Sequence, residues 1–208
     1  MNTLDRKKHW EKIYSAKQIN ELSWFEPKPE TSLNFIKKFE IHHDAKIIDI
    51  GGGDSFLCDN LIEAGYKDIS VLDISETAIE KAKKRLGSKA EKINWIICDA
   101  AVFKPTEKYD FWHDRAAFHF LTGENEIQNY VNNLNNFISE KGIVLLGTFS
   151  ENGPLKCSGI EIKQYSENSM TELLKTNFEK IECLKKDHNT PFNTTQNFIF
   201  CAFKKRKS

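Results

Sequence analysis

The chain has 208 residues, 30 Lys plus Arg against 30 Asp plus Glu, and a 39% hydrophobic fraction. That length suits one hydrophobic core, since domains typically hold about 100 to 200 residues, and the composition excludes a disordered chain. A formal net charge of zero leaves no global field to draw the chain onto a phosphate backbone or an anionic bilayer, so neither nucleic acid nor membrane is expected as a partner.

The first ten residues are polar, and no stretch approaches the roughly 18 apolar residues of a spanning helix. Five cysteines (Cys58, Cys98, Cys157, Cys183, Cys201) are odd in number and never spaced as CxxC, which argues against a disulfide framework and against a zinc site. A cytoplasmic monomer without metal is the expectation.

In chain order, Asp5 to Ser15 reads as a helix. Trp24 to Pro29 is held outside regular structure by its prolines, and Leu33, Phe35, Ile36 and Phe39 share the face of a second helix. Lys46 to Ile50 is a short buried strand running into Gly51, Gly52 and Gly53, and helical spacing resumes over Ser55 to Ala64 until Gly65. The unit repeats with Ile69 to Asp73, Ser75 as N-cap of Glu76 to Leu86, Gly87 as C-cap, and Ile93 to Cys98. Tyr109 to Asp114 is a fourth strand, Glu124 to Ser139 a helix and Ile143 to Phe149 a fifth strand. A loop over Ser150 to Gly159 and a helix near Ser166 to Thr176 follow. Strands near Phe178 to Lys185 and Asn197 to Lys204 then flank a loop containing Pro191. Alternating strands and helices predict an α/β, doubly wound, Rossmann-like sheet of seven strands, mostly parallel with an antiparallel C-terminal hairpin strand. Residues 204–208 form a frayed basic tail.

In such a sheet the ligand sits beyond the carboxyl ends of the strands. Asp49 lies two residues before the glycine run, Asp73 ends the second strand with Ile74 after it, and Asp99 ends the third with Ala100 after it. A carboxylate at the end of the second strand can accept both hydroxyl protons of a ribose. The turn, Asp49-Ile50-Gly51-Gly52-Gly53-Asp54-Ser55, lacks the later glycine of a dinucleotide fingerprint and carries acids on both sides. It would repel a pyrophosphate and welcome a cation.

With these pieces, DIGGGDS, VLDIS and ICDAA, nearly the whole chain resembles the class I (seven-strand) S-adenosylmethionine-dependent methyltransferases. The resemblance implies that S-adenosyl-L-methionine is the cofactor. Its methionine end would pass the turn at Asp49, Gly51, Gly52 and Gly53, its ribose would meet Asp73 and Ile74, and its adenine Asp99 and Ala100. The run His113-Asp114-Arg115-Ala116-Ala117-Phe118-His119 follows the fourth strand, where these enzymes place residues near the transferred methyl group. It also looks like the thiopurine methyltransferase group. Trp10, Tyr14 and Lys17 followed by Ser23-Trp24-Phe25 is similar to the lid of small-molecule and protein-lysine methyltransferases alike.

Methyl transfer needs alignment, exclusion of water and, for some acceptors, a base. His113 and His119 are candidate bases, with His113 also a candidate cofactor contact. Asp114 could orient one of them, and Arg115 could pin an acceptor carboxylate or hold Asp114. A structural ion pair for Asp114 and Arg115, and a core position for His119, are the competing readings. Trp24, Phe25, Arg115, Cys157 and His188 are candidate contacts of the acceptor. The expected organisation is one domain over 1–208, with a helical lid (1–40), a cofactor-binding core (45–150), and a substrate loop, helix and hairpin (151–203). The expected activity is methylation of a small molecule, a thiol or similar soft nucleophile first. A protein lysine is the alternative acceptor, and a cofactor-binding module without catalysis a second alternative.

Overall fold

A computed structural model describes residues 3–207. Its first helix, α1 (Thr3–Ala16), turns only Arg6, Trp10 and Tyr14 inward, at steps of four residues along one face. After α2 (Glu30–Lys38) the chain enters β1 (Lys46–Ile50), then alternates α3 (Leu57–Glu63), β2 (Asp68–Asp73), α4 (Glu76–Leu86), β3 (Ile93–Ile97), β4 (Tyr109–Arg115), α5 (Glu124–Phe137) and β5 (Ile138–Phe149). A small hairpin, β6 (Lys156–Cys157) and β7 (Ile160–Glu161), precedes α6 (Glu167–Leu174), β8 (Phe178–Asn189) and β9 (Thr195–Lys205).

Seven strands form one sheet in the order β3-β2-β1-β4-β5-β9-β8. The pairs from β3 through to β5 are parallel, while β9 runs antiparallel to both β5 and β8. Strand order reverses between β1 and β4, which opens a crevice at the carboxyl ends of these two strands.

Alternate residues of the central strands feed two cores, as the period of two requires. Ile48, Trp112, Val144 and Leu146 pack with α5 and α6 through Tyr130, Leu134 and Met170. Ile47, Phe111 and Leu145 pack on the other face with Phe35 of α2 and Leu57 and Leu61 of α3. Burial on both faces explains why β1 reads Lys-Ile-Ile-Asp-Ile rather than as an alternating strand.

Four details differ from the sequence expectations. Strand β5 begins at Ile138, five positions earlier than expected, because Lys141 takes a left-handed φ of 66° and lets the chain re-enter the ladder. The expected loop over Ser150 to Gly159 contains β6, which pairs with β7 just beyond it in a small hairpin. Cys183 and Cys201, directly opposite on β8 and β9, form a disulfide, whereas the cysteine spacing argued against disulfide bonding. The basic tail is docked rather than frayed: β9 extends to Lys205, whose Nζ donates to the Asn135 and Ile138 carbonyls at 2.7 and 2.6 Å, and the Arg206 amide donates to Asn177 O. Ser208 of that tail lies outside the described residues. Among the described residues no helix is long and apolar enough to cross a membrane.

Candidate active site

Two joined clefts occupy the crevice. The larger is lined by Asp73, Ile74, Asp99 and Ala100 and by Phe149, Cys157, Gln196 and Phe198. The smaller lies over the glycine turn and is lined by Asp49, Gly51, Gly52, Phe25 and His113. Tyr14, Trp24, Gly51 and Arg115 border both.

The glycine turn is shaped by close approaches. Gly51 holds a φ of 68°, and a Cβ built on it would stand 2.5 Å from the Ala117 side chain. A Cβ on Gly53, at φ 43°, would stand 2.7 Å from Asp73 Oδ2, so Gly53 backs the carboxylate without lining either cleft. Only glycine accommodates such approaches at positive φ.

The acids at the strand ends are buried, and each is oriented. Asp73 Oδ1 accepts the Ser75 amide at 2.8 Å, and burial foremost pushes its pKa up to about 7. Asp99 Oδ1 accepts the Ala101 amide at 2.9 Å. Asp54, the acid beyond the turn, borders the smaller cleft and is ion-paired with Arg85, which offsets part of the turn's acidity.

The run after β4 divides its labour differently from expectation. His113 Nδ1 lies 2.6 Å from Asp49 Oδ1 and Nε2 lies 2.8 Å from Ser32 Oγ, which leaves neither nitrogen to serve as a base. Asp114, fully buried, orients no histidine. Its Oδ1 accepts the Ala117 and Phe118 amides at 3.0 Å each, its Oδ2 accepts the Tyr130 hydroxyl at 2.7 Å, and burial raises its pKa to about 6. It therefore shapes the turn that carries Ala116, at a left-handed φ of 67°, into the larger cleft. His119 lines neither cleft. Its Nδ1 accepts the Phe149 amide at 3.3 Å, and burial, helped by Arg115, lowers its pKa to about 3, so it is a neutral core residue.

Arg115 does not hold Asp114. Its guanidinium donates to Trp24 O at 3.1 Å, lies 3.3 Å from Glu26 and 3.4 Å from His188 Nδ1, and stands over the Phe198 ring. His188 Nε2 donates to Ser23 O at 2.8 Å. Residues 23–26 are thus fastened to the sheet by β4 and β8, with His188 outside both clefts. Trp24 packs edge-on against Trp10 and Tyr14, at centroid separations of 5.7 and 6.1 Å, closing the roof. Phe25 borders only the smaller cleft, against Phe56. The Cys157 thiol lines the larger cleft, with its pKa pushed up to about 11 by burial, so it stays protonated and unreactive at neutral pH.

Arg6 of α1, which had no place in the sequence reading, is 6% exposed, reaches Asp99 and Glu126 and lines the larger cleft. The available signal was its position, four residues before Trp10 and eight before Tyr14, in a chain with only four arginines. The helix is further clasped by Glu11, which accepts the Glu76 and Thr77 amides at the start of α4, and by Lys81, which donates to the Tyr14 and Lys17 carbonyls. Among the described residues no group of three or more His, Cys, Asp or Glu side chains could hold a metal ion.

Comparison with known proteins identifies the family and the fold. A family profile described as a methyltransferase domain matches residues 41–197. Malonyl-acyl-carrier-protein O-methyltransferase 2 of Ilyobacter polytropus is 28% identical over 142 residues, covering 67% of this chain and 51% of that protein. The mouse eEF1A lysine and N-terminal methyltransferase is 27% identical over 144 residues, covering 66% of this chain and 19% of that protein. The chain thus spans about half the length of the first relative and a smaller share of the second. Among solved structures, a SAM-dependent methyltransferase from Anabaena variabilis superposes with a TM-score of 0.75 at 16% identity, covering 99% of this chain and 96% of that one. Burkholderia thailandensis 1,6-didemethyltoxoflavin-N1-methyltransferase superposes at 0.76 with 13% identity, covering 100% and 92%. The chain belongs to the methyltransferase domain family and has the class I, Rossmann-like fold of S-adenosylmethionine-dependent methyltransferases.

Proposed function

We propose that this chain transfers the methyl group of S-adenosyl-L-methionine to a small-molecule acceptor held beneath the N-terminal lid, with a thiol or similar soft nucleophile as the receiving group. The observation that carries this is the larger cleft, which sets Asp73 and Asp99 at one end and an aromatic chamber roofed by α1 at the other. The donor set fits the cofactor: carboxylates for ribose hydroxyls and an exocyclic amine, beside a glycine turn packed too closely on Ala117, Asp49 and Asp73 to admit a Cβ. When bound, the cofactor supplies an activated methyl on a sulfonium.

The chain's own residues bind, orient and exclude water. Asp73 with Ile74 receives the ribose, Asp99 with Ala100 the adenine, and Asp49 with Gly51 and Gly52 the amino-acid arm, while Gly53 backs Asp73. Trp10, Tyr14 and Trp24 close the chamber. Neither His113 nor His119 is available as a base, which supports an acceptor that ionises on its own near neutral pH. A thiol, with an ordinary pKa of about 8.5, does so. Arg115 borders both clefts with an Nε that makes no hydrogen bond, which supports an anionic acceptor. In this reading residues 1–40 act as lid, 45–150 as cofactor core and 151–203 as acceptor wall, in a cytoplasmic monomer.

A labelled-methyl assay across small thiols, carboxylates, amines and whole-cell protein tests the proposal. Label is expected in the small-molecule fraction. Label in protein would favour the lysine reading suggested by the eEF1A methyltransferases, and cofactor binding without transfer would favour a module that has lost catalysis.

A further inference from the structure

Beneath the glycine turn, three buried polar side chains from three elements form a hydrogen-bonded line. Ser32 of α2, His113 of β4 and Asp49 of β1 are 1%, 3% and 2% exposed. Asp49 and His113 are direct neighbours in the parallel register of β1 and β4, so the strand pairing itself brings imidazole to carboxylate. A carboxylate only accepts, so the 2.6 Å contact requires a proton on His113 Nδ1, and in the neutral ring Nε2 then accepts the Ser32 hydroxyl. The order Ser, His, Asp invites comparison with a nucleophile triad, but Ser32 lines neither cleft, so its hydroxyl meets no substrate.

The other side of Asp49 explains what the line serves. A Cβ built on Gly52 would stand 2.5 Å from Asp49 Oδ2, and Ser55 Oγ lies 3.5 Å from the same oxygen. One carboxylate oxygen is therefore tied by His113 while the other backs the turn. Asp49, His113, Gly51 and Gly52 all border the smaller cleft, and none of Asp49, Gly52 and His113 borders the larger. Asp73 and Asp99, by contrast, line only the larger cleft.

We infer that His113 is a positioning residue. Through its hydrogen bond to Asp49 it fixes a negative charge under the glycine turn and makes the smaller cleft a site for the ammonium-bearing arm of the cofactor and its demethylated product. This rests on the reading that S-adenosylmethionine is the cofactor. The adenosine portion is held by a separate set of residues, so the two ends of the ligand respond to different substitutions. A histidine that only filled the core would not produce that separation.

The experiment is calorimetric titration of the full chain, wild type and variant, with S-adenosylhomocysteine and with 5′-methylthioadenosine, which lacks the amino-acid arm. His113→Leu is expected to weaken S-adenosylhomocysteine about tenfold or more while methylthioadenosine changes by less than about twofold. His113→Asn, whose amide can still donate to Asp49, is expected to recover most of the loss. His113→Gln, which reaches toward Ser32 instead, is expected not to, and it keeps a polar group in the core should the leucine variant fail to fold. Unchanged S-adenosylhomocysteine binding in the leucine or glutamine variant, or equal weakening of both ligands, would overturn the inference. Absence of S-adenosylhomocysteine binding to the wild type would instead overturn the cofactor reading on which it rests.

Discussion

Arg6 Nε on the N-terminal helix lies 3.2 Å from Asp99 Oδ2 at the end of the third strand, so the lid closes on the carboxylate assigned to adenine. The same guanidinium reaches Glu126 at the start of α5, and both Arg6 and Asp99 are buried. The ion pair thus joins the roof of the cleft to its floor.

Arg6→Ala removes one partner of a buried pair, a change that costs about 3 to 5 kcal/mol. Part of that cost falls on the lid alone. Limited proteolysis is expected to cut within α1 at rates well above wild type, and S-adenosylhomocysteine affinity is expected to fall. Wild-type proteolysis and affinity in this variant would show that the contact does not hold the lid.

The pH dependence follows from Asp73. Its carboxyl ionises near 3.8 when unfolded and near about 7 when folded, chiefly because burial disfavours the charge. The folded state holds the proton longer, so this group's contribution to stability declines as pH rises between those values and is constant above the upper one. A ribose diol is accepted by the ionised form. Affinity for S-adenosylhomocysteine should therefore climb as pH rises through about 7 and then flatten, and Asp73→Asn should bind weakly with no such climb. Titrations in buffers across that range check both curves.

Gly51→Ala places a methyl 2.5 Å from the Ala117 side chain at a φ of 68°. Neither the strain nor the clash can be relieved without moving the turn after β4, which Asp114 pins through two amides. The variant is expected to lose about 1 to 3 kcal/mol of stability and to bind S-adenosylhomocysteine weakly. Circular dichroism and thermal melting separate the two effects.

His119 is expected to matter for stability and not for proton transfer. Burial lowers its pKa to about 3, so it folds neutral, and its stabilising contribution is lost as pH falls below the ordinary 6.5 toward that value. His119→Gln should keep the wild-type pH profile of turnover while costing about 1 to 3 kcal/mol through the unsatisfied Phe149 amide. A pH profile that loses a limb in this variant would restore His119 as a base.

The order of strands and helices and the three acids at strand ends were legible because they rest on local signals: period, caps and glycine punctuation. The roles of His113 and Asp114 were not, because each is decided by a partner far away in sequence, while the core position of His119 was one of two readings that only its distant partner decides between. Asp49, Tyr130 and the Phe149 amide make the difference. The spacing of Arg6 to Trp10 and Tyr14 marked the buried helix face, but its pairing was not legible, since its partners Asp99 and Glu126 lie on other elements. The Cys183 and Cys201 pairing required the register of β8 on β9, which no spacing rule supplies.

Equilibrium titration of the chain with S-adenosylhomocysteine tests most directly whether the larger cleft binds S-adenosylmethionine through Asp73 and Asp99. One ligand per chain is expected, with binding lost in a folded Asp73→Ala, Asp99→Ala double variant. No binding to the wild type, or equal binding to the double variant, would contradict it.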